Sequence, residues 1–228
     1  LQMPSGLGLV DLHSHSEFAY CGKGVRLSLS PKLAELFGLA AMAFTEHSGQ
    51  LYYKQGAYRK GVFYEGGIEA QEGYAPRMQE FWRAADGVRS ERVLVGLEID
   101  ADFQGRLVVR PEDLARCDVK NGAVHQLPEL RKKAGADPEK AADEFLRIME
   151  ELVRTGIDTV VHPYRVFRRA KVPVPTWTYD PVVRMLKESG VAAEVNFHTN
   201  EPDPDFFKRC IEAGVKLTFG SDAHELYE

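Results

Sequence analysis

The chain has 228 residues, of which 44% are hydrophobic, so it is long enough to bury a full core in one domain. Its formal net charge is −5 at pH 7, which argues against a protein that wraps long nucleic acid. It lacks a signal-peptide pattern and any apolar run near the roughly 20 residues that cross a bilayer, and its three cysteines suggest no disulfide framework, so we expect a cytoplasmic protein without a membrane segment.

The first predicted strand runs from Leu7 to Leu12, is expected to be buried, and is followed by His13 and His15. Because residues two apart on a strand point the same way, the two imidazoles converge on one point past the strand end. Two imidazoles aimed at one point suit a divalent cation such as zinc. The alternative is that both are ordinary polar residues at a strand end. Cys21 follows shortly after.

Hydrophobic periodicity and helix-start and helix-stop residues predict an alternation of strands and helices along the rest of the chain. The predicted strands are Ala41 to Thr45, Arg92 to Ile99, one within Gly122 to Leu127, Asp158 to Val161, Ala192 to Phe197 and Lys216 to Phe219. The predicted helices are Ser30 to Gly38, Arg77 to Val88, Arg110 to Cys117, Asp137 to Gly156, Asp180 to Gly190 and Pro204 to Ala213. This order predicts a single-domain α/β barrel of parallel strands.

Two segments are predicted to be irregular. Ser48 to Pro76 is rich in glycine and tyrosine, and it is either a lid or substrate loop or a solvated loop without a role. Arg165 to Pro175 is basic and rich in proline, and it is predicted to be a loop.

Six of the seven histidines stand at or just beyond the end of a predicted strand, where the chemistry of parallel barrels collects. They are His13, His15, His47, His125, His162 and His224. Glu98 and Asp222 occupy equivalent places, with Glu46 and Glu194 nearby as candidates to orient a ligand. These residues are too many for one tetrahedral zinc and predict two or three cations bridged by a carboxylate.

The motifs HxH, TEH, GLEID, AVH, HPY, AEVN and SDAH occur in this order along nearly the whole chain. Together they resemble the PHP (polymerase and histidinol phosphatase) superfamily, and FTEHS and GLEID are similar to histidinol phosphatase in particular. The resemblance implies a distorted (β/α)7 TIM-like barrel over residues 1–228, with up to three zinc, manganese or iron ions. The chain stops four residues after His224, so we expect that a closing C-terminal helix is missing.

The resemblance also implies how the ligands divide among three cations. The first would be bound by His13, His15, Glu98 and Asp222, the second by Glu98, His125 and His162, and the third by His47, His224 and Cys21. The family more often has Asp or His in the place of Cys21. A thiolate there would favour zinc or iron over manganese. Alternatively, Cys21 is only a small buried residue and the third site is weak or empty.

Clustered cations suit hydrolysis of a phosphate ester, because they generate hydroxide at neutral pH and neutralise phosphoryl oxygens. We expect a hydroxide that bridges the first two cations to attack phosphorus, with Asp222 or His224 moving a proton. Arg165 is the first candidate phosphate ligand, because it is nearest the metal ligand His162. Arg168, Arg169 and Lys171 are further candidates, and each of these three could instead belong to a solvated basic loop. His198 is a candidate substrate contact.

The sequence therefore predicts a metal-dependent phosphatase acting on a small phosphomonoester, and the resemblance implies histidinol phosphate, a substrate of histidine biosynthesis. One alternative is a PHP-type nuclease or nucleotide phosphoesterase, against which the acidic composition argues. The other is a non-catalytic metal-binding domain, against which the nearly complete ligand set argues.

Overall fold

The computed structural model describes residues 8–71, 73, 75–132 and 135–226, so Leu7, placed in the first predicted strand, lies outside the described residues. The described residues form a seven-stranded parallel sheet in which the strands follow one another in chain order. Strands β1 to β7 span Val10–Ser14, Ala41–His47, Val93–Asp100, Lys120–Ala123, Thr159–Val160, Ala192–Val195 and Leu217–Phe219. The predicted α/β barrel of parallel strands is confirmed.

The sheet closes by pairing the segment after β7 with β1. The backbone N–H of Asp222 donates to the carbonyl of His13 at 2.7 Å, and that of His15 donates to the carbonyl of Ala223 at 3.1 Å. Asp11 ties the same two segments together, because its carboxylate accepts from the N–H of Ser221 at 3.0 Å and from its hydroxyl at 2.7 Å. The two ends of the described chain are thereby joined at one edge of the barrel.

Helices connect successive strands. Helices α1 to α10 span Ser30–Leu36, Ser48–Tyr52, Gln55–Lys60, Phe63–Gly66, Pro76–Asp86, Pro111–Leu114, Pro138–Leu152, Arg165–Arg169, Tyr179–Ser189 and Pro204–Ala213. Short 3-10 turns lie at Gly67–Ala70, Glu129–Arg131 and Thr176–Thr178. The predicted helices are confirmed with small shifts at their ends. Asp137 begins α7 as an N-cap, since its carboxylate accepts from the backbone N–H groups of the first turn.

The prediction of an irregular segment from Ser48 to Pro76 is wrong, because this region folds into α2, α3, α4 and a 3-10 turn. Several of its apolar and aromatic side chains are buried, among them Leu51, Tyr52, Phe63 and Tyr64. The hydroxyl of Tyr52 donates to Asp113 at 2.5 Å, which anchors α2 to a distant helix. Helices this short have little stability of their own, so tertiary burial rather than a local pattern stabilises them.

Two further boundaries and the burial of one strand differ from prediction. Arg165 to Pro175 begins with α8 rather than a loop, and β4 ends at Ala123, two residues before His125. Leu9 is 43% exposed and Val10 and Leu12 are only half-buried, so the prediction that the first strand is buried is wrong for its described apolar residues. These elements are too short for periodicity to locate their ends.

Apolar side chains pack in two clusters. One joins α2, α4 and α5 to β2 and β3 around Phe81 and Trp82, and the other joins α7, α9 and α10 to β5 and β6 around Phe145 and Phe206. Of the helices that the described residues form, not one has the length and apolarity needed to cross a bilayer. This packing on the flanks of the barrel holds the strands in place. The buried polar residues lie at the ends of those strands.

Candidate active site

The C-terminal ends of the strands bring the residues predicted for the first cation together. Nε2 of His15 lies 2.8 Å from Oδ1 of Asp222, and Nε2 of His13 lies 3.5 Å from the same oxygen. Both nitrogens lie 3.7 Å from Oε2 of Glu98. One ligand atom from each of the four residues lies within 4.8 Å of the others, so these four side chains could hold one ion.

The residues predicted for the second cation also meet. Oε1 of Glu98 lies 2.7 Å from Nε2 of His162 and 3.0 Å from Nε2 of His125. The guanidinium of Arg165 reaches the same place, with Nη2 at 2.7 Å from Nε2 of His162 and Nη1 at 2.5 Å from Oδ2 of Asp222. Arg165 is only 4% exposed, so the predicted phosphate ligand is a buried cation that contacts Asp222 of the first ligand set and His162 of the second.

The residues predicted for the third cation lie on the cavity side of the cluster. Nε2 of His47 lies 3.3 Å from Nε2 of His224 and 3.6 Å from Sγ of Cys21. His15 stacks on His47 and also packs against His224, with ring centroids 4.2 Å apart in each pair. Cys21 is exposed, so its description as a small buried residue does not fit the structure.

Unsatisfied atoms show that this arrangement suits bound cations. Among the described residues, Nε2 of His13, Nδ1 of His47 and Oε2 of Glu98 are buried without a hydrogen-bond partner. Nδ1 of His47 is 2.6 Å from Oε2 of Glu98, but the angles do not form a hydrogen bond. Buried polar groups are rarely left unpaired in folded proteins, because each costs the free energy of its lost hydration. A divalent cation would satisfy these imidazole and carboxylate atoms.

Opposite charges in the cluster lower the pKa of Glu98 and raise the pKa of His13. Burial would raise the pKa of Glu98, but the charges of His47 and His125 outweigh it and hold the pKa well below its usual range. Burial opposes protonation of His13, yet Glu194 and Asp222 raise its pKa well above the ordinary value. Since ligands bind a metal in their deprotonated form, cations would replace these protons.

The pKa values of His162 and Cys21 are both lower than those of the free side chains in water. Burial and then the neighbouring Arg165 hold the pKa of His162 well below the ordinary value, so this imidazole is neutral. Partial removal from water would raise the pKa of the Cys21 thiol, but hydrogen bonds with His224 and His47 outweigh it and lower the pKa to about 5. Both side chains are therefore in the form that binds a metal.

Carboxylates behind the histidines fix their orientation. Nδ1 of His13 donates to Oε1 of Glu194 at 2.8 Å, and Nδ1 of His15 donates to Oε1 of Glu46 at 3.1 Å. Each bond leaves Nε2 free to face the cluster, which is how carboxylates orient metal-binding histidines. Glu46 therefore orients His15, and its Oε1 also accepts from the backbone N–H of His47 at 3.0 Å.

Asp100 is a residue of the site that the sequence reasoning missed. Its Oδ1 accepts from Nδ1 of His125 at 2.7 Å, so it orients this histidine. The signal was available, because Asp100 lies two residues after Glu98 on the same strand and residues at this spacing share a face.

Two of the predicted ligands have unusual backbone angles. Asp222 has φ of 54° and His162 has φ of 33°, both in the left-handed region that non-glycine residues seldom occupy. Such residues persist where the surrounding structure holds them, and they concentrate at functional sites. The closure of the barrel at Asp222 supplies this constraint.

A cavity of about 640 Å³ opens above the histidine cluster. Predicted site residues that line it are Cys21, His47, His125, Arg165, His198 and His224. His198 stacks on His224 with ring centroids 4.8 Å apart. Arg168 is not part of the described lining; its guanidinium lies 3.9 Å from Asp203, whereas Arg169 lines the cavity. On α8, Arg169 rather than Arg168 therefore lies where a substrate could contact it.

A solved structure resembles this one over nearly its whole length. It is the "putative histidinol phosphatase hisK" from Listeria monocytogenes, which aligns with a TM-score of 0.70 and 12% identity over 96% of each chain. The two chains share one fold. This likeness confirms the barrel fold that the sequence motifs predicted.

A sequence relative is also a phosphatase by name. It is a "Probable phosphatase" from Acetivibrio thermocellus, 26% identical over 145 residues, which are 60% of this chain and 54% of that protein. The matched part thus spans about half the length of the relative. No protein-family model matches this chain.

Proposed function

We propose that this chain is a metal-dependent phosphatase of the PHP superfamily that hydrolyses a small phosphomonoester. The observation that carries the proposal is the set of buried ligand atoms on His13, His47 and Glu98 that make no hydrogen bond, gathered below one cavity. The fold of the Listeria protein and the name of the Acetivibrio relative support the same class of reaction.

Two or three divalent cations would be held by the three ligand sets, with Glu98 shared between the first two. When bound, they would supply a nucleophile at neutral pH and neutralise the charge of the phosphoryl group. The sets are His13, His15, Glu98 and Asp222, then Glu98, His125 and His162, and last Cys21, His47 and His224.

The chain's own residues supply orientation and proton transfer. Arg165 offers a guanidinium at the floor of the cavity, and this group can grip phosphate oxygens in pairs. The neighbouring histidines keep the pKa of Asp222 well below its usual range against the effect of burial, so this carboxylate holds no proton. Burial lowers the pKa of His224, but Cys21 and Asp222 outweigh it and raise the pKa. With no cation in the third ligand set, His224 is thus favoured over Asp222 as the group that holds a proton.

The size of the cavity supports a small substrate. A volume of about 640 Å³ lies within the range of roughly 300–1,000 Å³ that is typical of small-molecule sites. Histidinol phosphate belongs among the first substrates tested, because the Listeria protein is described as a putative histidinol phosphatase. The nuclease alternative has no comparable support from the cavity.

Turnover of phosphomonoesters tests the proposal. We expect the purified protein to hydrolyse p-nitrophenyl phosphate with manganese or zinc, to lose activity with a chelator, and to regain it when the metal returns. His125→Ala and Asp222→Ala should abolish turnover while the far-UV circular dichroism spectrum is kept, and Glu188→Gln on the exposed face of α9 should retain it. Hydrolysis of DNA ends without monoester turnover would favour the nuclease instead, and bound cations without any turnover would favour the non-catalytic domain.

A further inference from the structure

The cavity is lined by positively charged side chains that have no role in the proposed hydrolysis. Besides Arg165, two arginines line it, Arg59 on α3 and Arg169 on α8. Both are exposed, and within the described ranges neither has a hydrogen bond or an ion pair. Arg165, in contrast, is already bound to Asp222 at 2.5 Å. Within the described residues, the outer part of the cavity therefore presents two guanidinium groups that make no hydrogen bond or ion pair.

The spacing of residues on α3 and α8 explains why Arg59 and Arg169 both line the cavity. Arg165 and Arg169 are four residues apart on α8, so they share a face and are separated by about 6 Å of helical rise. On α3, Gln55, Tyr58 and Arg59 have the same kind of spacing, and all three line the cavity. A ligand whose phosphate reaches Arg165 would extend along this face toward Arg169, with α3 as the other wall.

The described lining of the cavity offers few carboxylates to a substrate that carries a positive charge. Among the described residues that line it, the carboxylate is that of Glu225, which already binds the ammonium of Lys23 at 2.7 Å. Glu98 and Asp222 lie below the cavity, each within 2.8 Å of an imidazole. A substrate ammonium would meet two guanidinium groups and would have to compete with Lys23 for its carboxylate.

We propose that the substrate carries a second anionic group, a carboxylate or a second phosphate, on the order of 6 Å from the phosphate that is hydrolysed, and that Arg169 and Arg59 bind it. This inference rests on the proposed phosphatase function and narrows its substrate class. Guanidinium groups bind carboxylate and phosphate oxygens in a matching planar geometry, so either anion fits. Phosphorylated acids or bisphosphates are then preferred over phosphates of amino alcohols such as histidinol.

Non-hydrolysable phosphonates test this preference without turnover, because their carbon–phosphorus bond replaces the ester. We choose three of matched length: 4-phosphonobutyrate with a carboxylate, butylphosphonate with a neutral tail, and 4-aminobutylphosphonate with an ammonium. By isothermal titration calorimetry on the protein as purified, we expect the carboxylate compound to bind at least tenfold more tightly than the neutral one. The ammonium compound should bind most weakly.

Matched variants identify the residues responsible. Arg169→Gln and Arg59→Gln should each reduce the preference for the carboxylate compound, and the double variant should reduce it to less than threefold. Arg184→Gln removes an exposed arginine of α9 that does not line the cavity, and it should keep the tenfold preference. Both cavity arginines are exposed, so their loss should leave the melting temperature unchanged, which a thermal scan would verify.

The outcomes separate the inference from the proposed function. Equal affinities for 4-phosphonobutyrate and butylphosphonate, tightest binding of 4-aminobutylphosphonate, no binding of any of the three, or a preference that survives the double variant would overturn the inference. Turnover of p-nitrophenyl phosphate together with equal phosphonate affinities would overturn the inference alone. The expected order of affinities without turnover of any phosphomonoester would support the anion-binding cavity and defeat the phosphatase.

Discussion

Nε2 of His15 lies 2.8 Å from Oδ1 of Asp222, although 207 positions separate the two residues in the chain. The contact exists because the segment after β7 pairs with the end of β1, where Asp222 donates its backbone N–H to His13. The candidate metal site is therefore complete only when the barrel is closed. A cation that binds there would stabilise the folded state, because the unfolded chain lacks the assembled ligands.

Glu98 should be the carboxylate on which cation binding depends most. Its Oε1 faces His125 and His162, and its Oε2 faces His13 and His15, so it contacts the first two ligand sets. We expect Glu98→Gln to reduce the metal content from about two to three ions per chain to one or fewer. Elemental analysis by mass spectrometry measures this.

Glu188→Gln is the matched control for that measurement, because Glu188 lies exposed on α9 and should leave the metal content unchanged. If Glu98→Gln kept the full complement of ions, the shared role of this carboxylate would be wrong.

Glu194 should tune metal affinity without binding a cation itself. It accepts from Nδ1 of His13 at 2.8 Å and from the backbone N–H of His162 at 2.8 Å, so it positions two ligands. We expect Glu194→Gln to weaken cation binding by about 10–100-fold, as the loss of an orienting carboxylate generally does. Competition against a fluorescent chelator measures the affinity.

Glu144→Gln serves as the comparison, since Glu144 also accepts a backbone N–H at 2.8 Å, from Glu129, but lies away from the site. An equal loss of affinity in both variants would mean that the effect of Glu194 is on folding rather than on ligand orientation.

Cys21 should react as a thiolate in chelator-treated protein. Hydrogen bonds with His224 and His47 overcome partial removal from water and lower its pKa to about 5, whereas burial raises the pKa of Cys117 and Cys210 to about 12. At pH 7 we expect iodoacetamide to modify Cys21 alone, and the rate to fall as the pH drops through about 5. Peptide mass spectrometry locates the label.

Addition of zinc should protect Cys21, because a bound thiolate is no longer free to react. If the rate of modification instead rose steeply between pH 8 and 9, Cys21 would be an ordinary thiol, because the pKa of cysteine in model peptides is about 8.5. Protection absent at saturating zinc would exclude Cys21 from the third ligand set.

Gly96 should be required for the sheet. A Cβ there would lie 1.8 Å from the carbonyl oxygen of Val119, which is backbone of the segment leading into β4. We expect Gly96→Ala to destabilise the fold by about 1–3 kcal/mol or more, as overpacking in a rigid core does. Urea unfolding followed by circular dichroism gives the free energy of unfolding.

Gly56 on α3 is the matched control, because a Cβ there meets no atom within 4 Å. Gly56→Ala should stabilise the helix by about 0.5–1 kcal/mol, since alanine loses less backbone entropy than glycine. A Gly96→Ala protein as stable as the parent would mean that β3 and β4 can separate without cost.

The sequence by itself determined the order of strands and helices, the closure of a parallel barrel and the gathering of His13, Glu98 and Asp222. These features follow from local patterns, because strand and helix periods reveal buried faces and the ends of parallel strands meet at one rim. Asp100 was within reach of the same reasoning, since it shares a strand face with Glu98.

Only the tertiary structure decided that Ser48–Tyr52 and the segment after it are helical, that Arg165 is buried beside Asp222, and that Arg169 rather than Arg168 faces the cavity. Short helices are stabilised by side chains that come from distant parts of the chain, so their own sequence carries little signal. The direction of an arginine depends on the phase of its helix, and one residue of difference turns the side chain by about 100°.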